Sequence, residues 1–163
     1  MSRDLKLVWN NDLSEADLKY DYDAGDLYYD EGLETAVIIS LFTDQRAKND
    51  DTLPDENSDD KRGWWGDQIS DIENDEIGSR IWLHAERAKT VEEVLIQVKQ
   101  DVKNALQWLI TDGVAAALEI TTERQTNTSG LEILAMEVKI KRRNGNTIAY
   151  RFDENWLAQI NDN

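Results

Sequence analysis

The sequence predicts an α+β fold, a mostly antiparallel sheet packed by two principal helices. Three observations carry this. A 3.6-residue apolar stripe runs through residues 91–110, a second apolar run fills residues 33–42, and sequential alternating segments close the chain. At 163 residues, positions 1–163 are read as one domain, since domains typically run about 100–200 residues.

Leu5–Trp9 reads as a short strand. Residues 18–29 read as a hairpin turning at Asp23-Ala24-Gly25-Asp26, with Tyr22 opposite Leu27 and Tyr20 opposite Tyr29. Asp21 and Asp23 sit at alternating positions, but a third ligand, a sixth-position glycine and a closing glutamate are missing, so a calcium loop is not expected. Helix one is placed at about 32–45, capped by Asp30. Leu33, Ala36, Val37 and Leu41 share its inner stripe, and Ile38, Ile39 and Phe42 widen it. Residues 44–62 lose periodicity and hold the single proline. Such a long loop within a domain is usually functional or disordered.

A short helix is expected around Ile77–Arg87, with Ile81, Trp82 and Ala85 inward. The long helix at 91–110 opens on a capping box, Thr90 with Glu93, and stops before Gly113 as a left-handed residue. Its stripe is Val91, Val94, Leu95, Val98, Val102, Ala105, Leu106 and Leu109. Val114–Thr122 alternates, with Val114, Ala116, Leu118 and Ile120 on one face, and 121–130 reads as a polar loop. In the final hairpin, a two-residue Asn144-Gly145 turn would oppose Ile140 to Ala149 and mix the faces. A three-residue loop, Arg143-Asn144-Gly145, opposes Ile140 to Ile148, Val138 to Tyr150 and Met136 to Phe152. Register favours the hairpin at 143–145. The stretch from Asn155 to Ile160 is expected to dock as a terminal turn or short helix.

Charge divides the chain. There are 18 basic and 34 acidic residues, a net of −16, with pI near 4.3. Residues 1–75 carry 21 acidic and 7 basic side chains, a net of −14; residues 76–163 carry 13 and 11, a net of −2. The acidity concentrates in the strand and hairpin region 1–31 and in the loop 44–62. It reads as a solvated surface or as a docking face for a basic partner. Six Trp and five Tyr separate the chain from disordered acidic tails. The balance argues against nucleic acid as a partner. No apolar run reaches the ~20 residues of a membrane span, and no leader is expected. The absence of cysteine removes disulfides and thiolate chemistry and fits a reducing compartment.

A search for catalytic groups returns little. His84 is the single histidine and reads as a helix-borne surface or half-buried residue. Phosphate loops and nucleophile elbows are missing. With 34 carboxylates, some pair always meets a glycosidase spacing, so composition does not support a hydrolase. No catalytic residue, cofactor or metal site is expected. The string Gly63-Trp64-Trp65-Gly66-Asp67 stands apart. Its indoles lie over the sheet as a lid, anchor a protein interface, or stack on a sugar.

The order of segments resembles the tail proteins of Mu-type bacteriophages over residues 17–156. The resemblance rests on Glu31-Gly-Leu-Glu-Thr-Ala and Leu41-Phe-Thr-Asp-Gln-Arg46, then Leu53-Pro54, Arg62-Gly-Trp-Trp-Gly-Asp67 and Gly78-Ser-Arg80-Ile-Trp-Leu. It continues through the 91–110 helix, Asp112-Gly113-Val114 and Tyr150-Arg-Phe-Asp-Glu-Asn-Trp. That family is similar to the baseplate-wedge, sheath-initiating proteins of contractile tails. The resemblance implies a non-enzymatic protein of the virion tail baseplate, made in the host cytoplasm and placed around a sixfold axis. Its implied partners are the larger wedge proteins and the tail sheath. The wider family carries a Glu-Pro-Arg triplet where this chain reads Thr111-Asp112-Gly113, so contacts made by that triplet do not transfer. Candidate partner-binding residues are Arg46, Gly63, Trp64, Trp65, Gly66, Asp67, Arg80, Asp112, Gly113, Lys139, Lys141 and Arg143. Strand pairing at an edge of 114–122, 131–142 or 147–152 is the expected sheath contact. Lys139, Lys141, Arg142 and Arg143 are expected to discourage premature edge pairing. The alternatives are a cell-wall glycoside hydrolase and a glycan-binding module built on Trp64 and Trp65.

Overall fold

Hydrophobic alternation in the last third of the chain builds a three-stranded antiparallel sheet in the order β5 (Ala115–Thr126), β6 (Glu132–Arg142), β7 (Thr147–Glu154). The computed structural model describes residues 4–30, 32–55, 57–69, 76–84, 91–126, 128, 130 and 132–154. The expected register holds: Ile140 faces Ile148, Val138 faces Tyr150 and Met136 faces Phe152. The Arg142 N–H donates to the Asn146 carbonyl at 2.8 Å, and Gly145 adopts φ +88°, a conformation that favours glycine in a bulged loop. Met136, Val138 and Ile140 are completely buried. The opposite face is a charged ladder in which Glu119 pairs Lys139 and Glu137 pairs Arg151.

Two expectations for β5 are corrected. The register skips between Ala115 and Ala117, so Ala116 is an extra residue that turns outward while Ala115 is buried. The polar stretch after Thr121 is also strand as far as Thr126, paired through Glu132. Its polarity reflects an exposed sheet end.

The helices cover the inner face. Helix α1 (Glu34–Phe42) buries Val37, Ile38 and Leu41. Leu33, not the expected Asp30, stands at its N-cap; Asp30 accepts from the Gly32 N–H at 2.8 Å and from the first-turn Thr35 N–H at 2.9 Å. The helix ends three residues before the expected Gln45 because Ser79 intercepts the chain. The Ser79 hydroxyl donates to the Leu41 carbonyl at 2.5 Å, its N–H donates to Thr43 at 2.9 Å, and Asp44 bridges Ser79 in parallel. The long helix is two helices, α2 (Val91–Ala105) and α3 (Gln107–Thr111). At Leu106 the ladder tightens, with the Leu109 N–H donating to the Leu106 carbonyl at 3.1 Å. The bend accompanies a bond from the Trp108 indole to the Ser40 hydroxyl at 3.1 Å. From Val94 to Leu109 the stripe is as expected, and Gly113 has φ +73°. Thr90 of the capping box lies outside the described residues, as do Ala85 and the terminal 155–160 turn. The helix expected at Ile77–Arg87 is described as a single tight turn, Ile81–His84, with Ile81 and Trp82 buried.

Two small hairpins precede the helices: β1 (Leu7–Asn10) with β2 (Glu15–Leu18), and β3 (Tyr20–Asp21) with β4 (Asp26–Leu27). The charged stretch β2 gave no alternation to read. In the second hairpin Tyr20 faces Leu27, two residues short of the expected Tyr29, and Tyr22 is 89% exposed in the turn. The cause is Asp21. Its carboxylate accepts from the Asp23 and Ala24 N–H groups, both at 3.0 Å, and closes the loop one position earlier. The Ala24 N–H leads the interactions that hold the Asp21 carboxyl below its ordinary value. The first hairpin reaches the C-terminal sheet through Trp9, which stacks on Phe42 at 3.8 Å and meets Phe152 edge-on at 6.0 Å. The Trp9 indole donates to the Asp153 carbonyl at 3.3 Å, and the Asp153 N–H donates to Asn11 at 3.0 Å.

The described residues of 44–62 form a structured loop around Ala47, Trp82 and Leu83. Ala47 donates to the Lys61 carbonyl at 2.9 Å, the Trp82 indole donates to Gln45 at 2.9 Å, and Arg62 lies over the Trp82 ring. Arg80 ties this loop to α2, contacting both Asp51 oxygens at 3.1 and 3.2 Å and Asp101 at 3.4 Å. Asp101 also bonds His84 at 2.7 Å. His84 is therefore a buried partner of a carboxylate, contrary to the expected surface or half-buried placement. Its position on a tight turn aims it at α2.

Replacing Asp101 by Asn leaves Arg80 and His84 short of a buried acceptor and is expected to cost about 3 kcal/mol, read by urea unfolding. Tyr150 supplies a second test. Burial raises its phenol pKa, and its oxygen accepts from the Leu33 N–H at 3.2 Å. The stability it contributes is complete below the ordinary phenol value of about 10 and is lost as pH rises through the raised folded value. Tyr150→Phe should remove that alkaline step and cost about 1 kcal/mol at neutral pH, both measurable by denaturant titration across pH 7–11.

Candidate functional site

The double tryptophan sits on a strained and closely packed turn. Arg62 and Gly63 have φ +50° and +105°. A Cβ on Gly63 would lie 2.8 Å from the Arg46 Cβ, so glycine lets the chain cross that side chain. Arg46 is exposed and donates to the Arg62 carbonyl at 3.2 Å. The Trp64 ring lies over Gly66, where any Cβ would collide with it. Gly66 is buried beneath the ring, and Asp67 accepts from the Ile77 N–H at 3.1 Å. Asp67 thereby joins the turn to the segment leading into Ser79.

This packing directs the apolar surface outward. Trp65 is 69% exposed and Trp64 43%, their rings 5.5 Å apart and tilted by 46°. Ile69, one turn further on, is 70% exposed. Neither indole closes over the core, so the lid reading is corrected. Trp64 is occupied in covering Gly66, and among the described residues the ring contact of Trp65 is with Trp64. Two rings at 46° do not form a flat stacking platform. Three apolar side chains on one exposed turn match the aromatic anchors of protein interfaces.

The remaining candidates do not join this patch. Arg80 is spent in the Asp51 and Asp101 network. Asp112 is exposed at the end of α3, and the Arg143 guanidinium lies over Gly113, 2.8 Å from where a Cβ would stand. The structure thus brings Asp112, Gly113 and Arg143 together at one corner of the sheet. Lys139 and Lys141 project from the outer face of β6. Lys139 lies 3.0 Å from Glu137, whose hydrogen bond and charge raise the lysine pKa, aided by Glu119. Because β6 is the central strand, these lysines guard no sheet edge, and β6 itself offers none. Those two expectations are corrected.

The edges belong to β5 and β7. The Asp153 N–H and carbonyl face away from β6 and are bonded to Asn11 and Trp9, which closes that end of β7. Arg142 bonds across to Asn146, so Lys141 and every second residue before it bond to β5. Leu118, Ile120, Thr122 and Arg124 then turn their backbone N–H and carbonyl groups outward. Among the described residues no backbone group bonds to that edge.

Sequence reasoning missed Ile69 and the Asp51–Arg80–Asp101–His84 chain. Ile69 was legible as the residue one turn beyond Trp65, and Arg80 and His84 as an i, i+4 pair. Their carboxylate partners lie too far along the chain to be read locally.

Comparison with known proteins follows from this arrangement. Residues 33–147 match the family model described as phage protein GP46. The baseplate protein gp46 of Escherichia phage Mu is 42% identical over 121 residues, covering 74% of this chain and 77% of its own. A Mu-like prophage protein, FluMu gp46 of Haemophilus influenzae, is 33% identical over 153 residues, covering 94% and 97%. The matched span includes helix α1, the double-tryptophan turn and the whole of β5 and β6. The chain therefore belongs to the GP46 family of phage proteins, as its resemblance to Mu-type tail proteins implied.

Proposed function

We propose that this chain is a structural component of a contractile phage tail baseplate, binding larger wedge proteins and giving the tail sheath its first pairing edge. The baseplate assignment rests on the phage Mu relative, which is a baseplate protein. The wedge contact is carried by one observation: Trp64, Trp65 and Ile69 are exposed together on one turn, whose close packing Gly63 and Gly66 permit. Anchors of this kind concentrate binding energy in few residues. Lys139, Lys141 and the Asp112–Gly113–Arg143 corner serve as a polar periphery. The molecule works by docking, with no catalytic group and no cofactor, around the sixfold axis of the tail.

The sheath contact is strand addition at β5. That strand is 12 residues long, and its outward groups are those an added partner strand needs, with bonds to the main chain supplying affinity and alternate side chains supplying register. The acidic N-terminal half keeps free subunits apart by mutual repulsion before assembly.

Two outcomes test this. Trp65→Ala, at a residue exposed enough to leave folding intact, should reduce co-purification with the neighbouring large wedge protein at least tenfold; undiminished recovery would count against the anchor. Arg124→Pro removes one outward N–H while sparing the ladder to β6, and should leave baseplates that carry the chain but assemble no sheath in electron micrographs. Normal sheath on those baseplates would overturn strand addition at β5.

A further inference from the structure

A groove of about 950 Å³ opens on the side of the molecule bounded by the first hairpin, α1 and the α2–α3 bend. Its lining includes small residues, Ala36 and Ser40 on α1 and Ala105 on α2, with the Trp108 indole bonded to the Ser40 hydroxyl. Its walls are apolar and open to solvent: Leu5, Leu18, Ile39 and Ile77 are 36–43% exposed. Core formation does not account for five large apolar residues, these four and Trp108, exposed around one depression. Contiguous exposed apolar surface of this kind marks an interaction site.

Charge narrows the occupant. Among the described residues that line the groove, the charged ones are Asp4, Glu76 and Asp112, with no lysine or arginine beside them. Asp4 precedes the first hairpin, Asp112 ends α3 and Glu76 leads into the Ser79 segment, so the three carboxylates come from different elements of the lining. Shape narrows it further. Two walls are helical, and helices have no free backbone groups to pair with a strand, so the groove is filled by side chains. Alanine and serine in the lining allow close approach of a third helix, with interaxial distances of about 8–10 Å.

We infer that this groove receives an amphipathic helix of a partner protein, with an apolar face at i, i+3/i+4 and i+7 and lysine or arginine along its flanks. The inference rests on the assembly role proposed above and identifies the chemistry of one partner. The apolar face of that helix fills the gap between α1 and α3, and its flanking cations reach Asp4, Glu76 and Asp112. The double-tryptophan turn is linked to the groove through Asp67 and Ile77, so both surfaces can serve one partner.

The probe is a synthetic 18-residue helix of leucine and lysine in that pattern, compared with a leucine and glutamate helix of the same pattern. Binding to the full-length protein is followed by amide and indole chemical shifts. The lysine helix should bind with shifts centred on Ile39, Ile77 and the Trp108 indole, at least tenfold tighter than the glutamate helix. Ile39→Lys should weaken it at least tenfold, while Asp50→Asn, an equal change in net charge at an exposed loop position, should change it less than twofold. Equal loss in both variants, or shifts confined to the 44–62 loop, would reduce the effect to general charge attraction and overturn the groove. In purified tails, a photo-crosslinker at Ile39 should join a segment rich in lysine or arginine and apolar at helical spacing. Tails containing the chain without such an adduct overturn the groove alone; tails lacking the chain overturn the assembly role itself.

Discussion

The aromatic contact of Trp9, Phe42 and Phe152 holds the molecule's three parts in one arrangement. Trp9 comes from the first hairpin, Phe42 from the last turn of α1 and Phe152 from the final strand. Rings of this size dominate core energetics through their buried area. Their placement has two further consequences. It positions α1 against the sheet, and it brings Asn10 and Asn11 to the end of β7, where Asn11 and the Trp9 indole satisfy Asp153. One edge of the sheet is thereby partly closed, and the opposite edge, β5, is left as the long available one.

The acidic half of the molecule is built differently from the sheet. Its described residues outside α1 and the two short hairpins are mostly loop, and its carboxylates replace backbone partners locally. Asp21, Asp30, Asp51, Asp55 and Asp60 each accept from a nearby backbone N–H. Short acidic side chains compete well for such groups, which is why they favour turns over helix interiors. A net charge of −14 over residues 1–75 therefore does two things. It gives the surface its sign, and it shapes loops that have too few apolar residues to fold around a core of their own. The loop 44–62 gains its remaining order from Trp82 below and from Arg80, which reaches across to α2.

Functional surface follows from what this framework leaves uncovered. Glycines at 63 and 66 let one indole lie down and force the next outward. Small residues on α1 and α2 leave a depression between helices where larger ones would have closed it. Each feature is a local packing choice that sets the core's own needs aside. An assembly protein requires such choices, because its exposed apolar surface is completed by neighbours.

The sequence by itself determined the α+β class, the stripe of α2, the left-handed stop at Gly113 and the register of the last hairpin. These are short-range matters: helical period, turn chemistry and the two-residue alternation of strands act between residues a few positions apart. Only the tertiary structure decided where α1 ends, why the long helix bends at Leu106, and that β6 is central so that its lysines guard no edge. Ser79, Ser40 and the two flanking strands make those decisions from far along the chain. His84 shows the same limit, since the carboxylate that defines its role is 17 residues away on another element. Periodicity reports which face of an element is buried; it carries no information about what is buried against it.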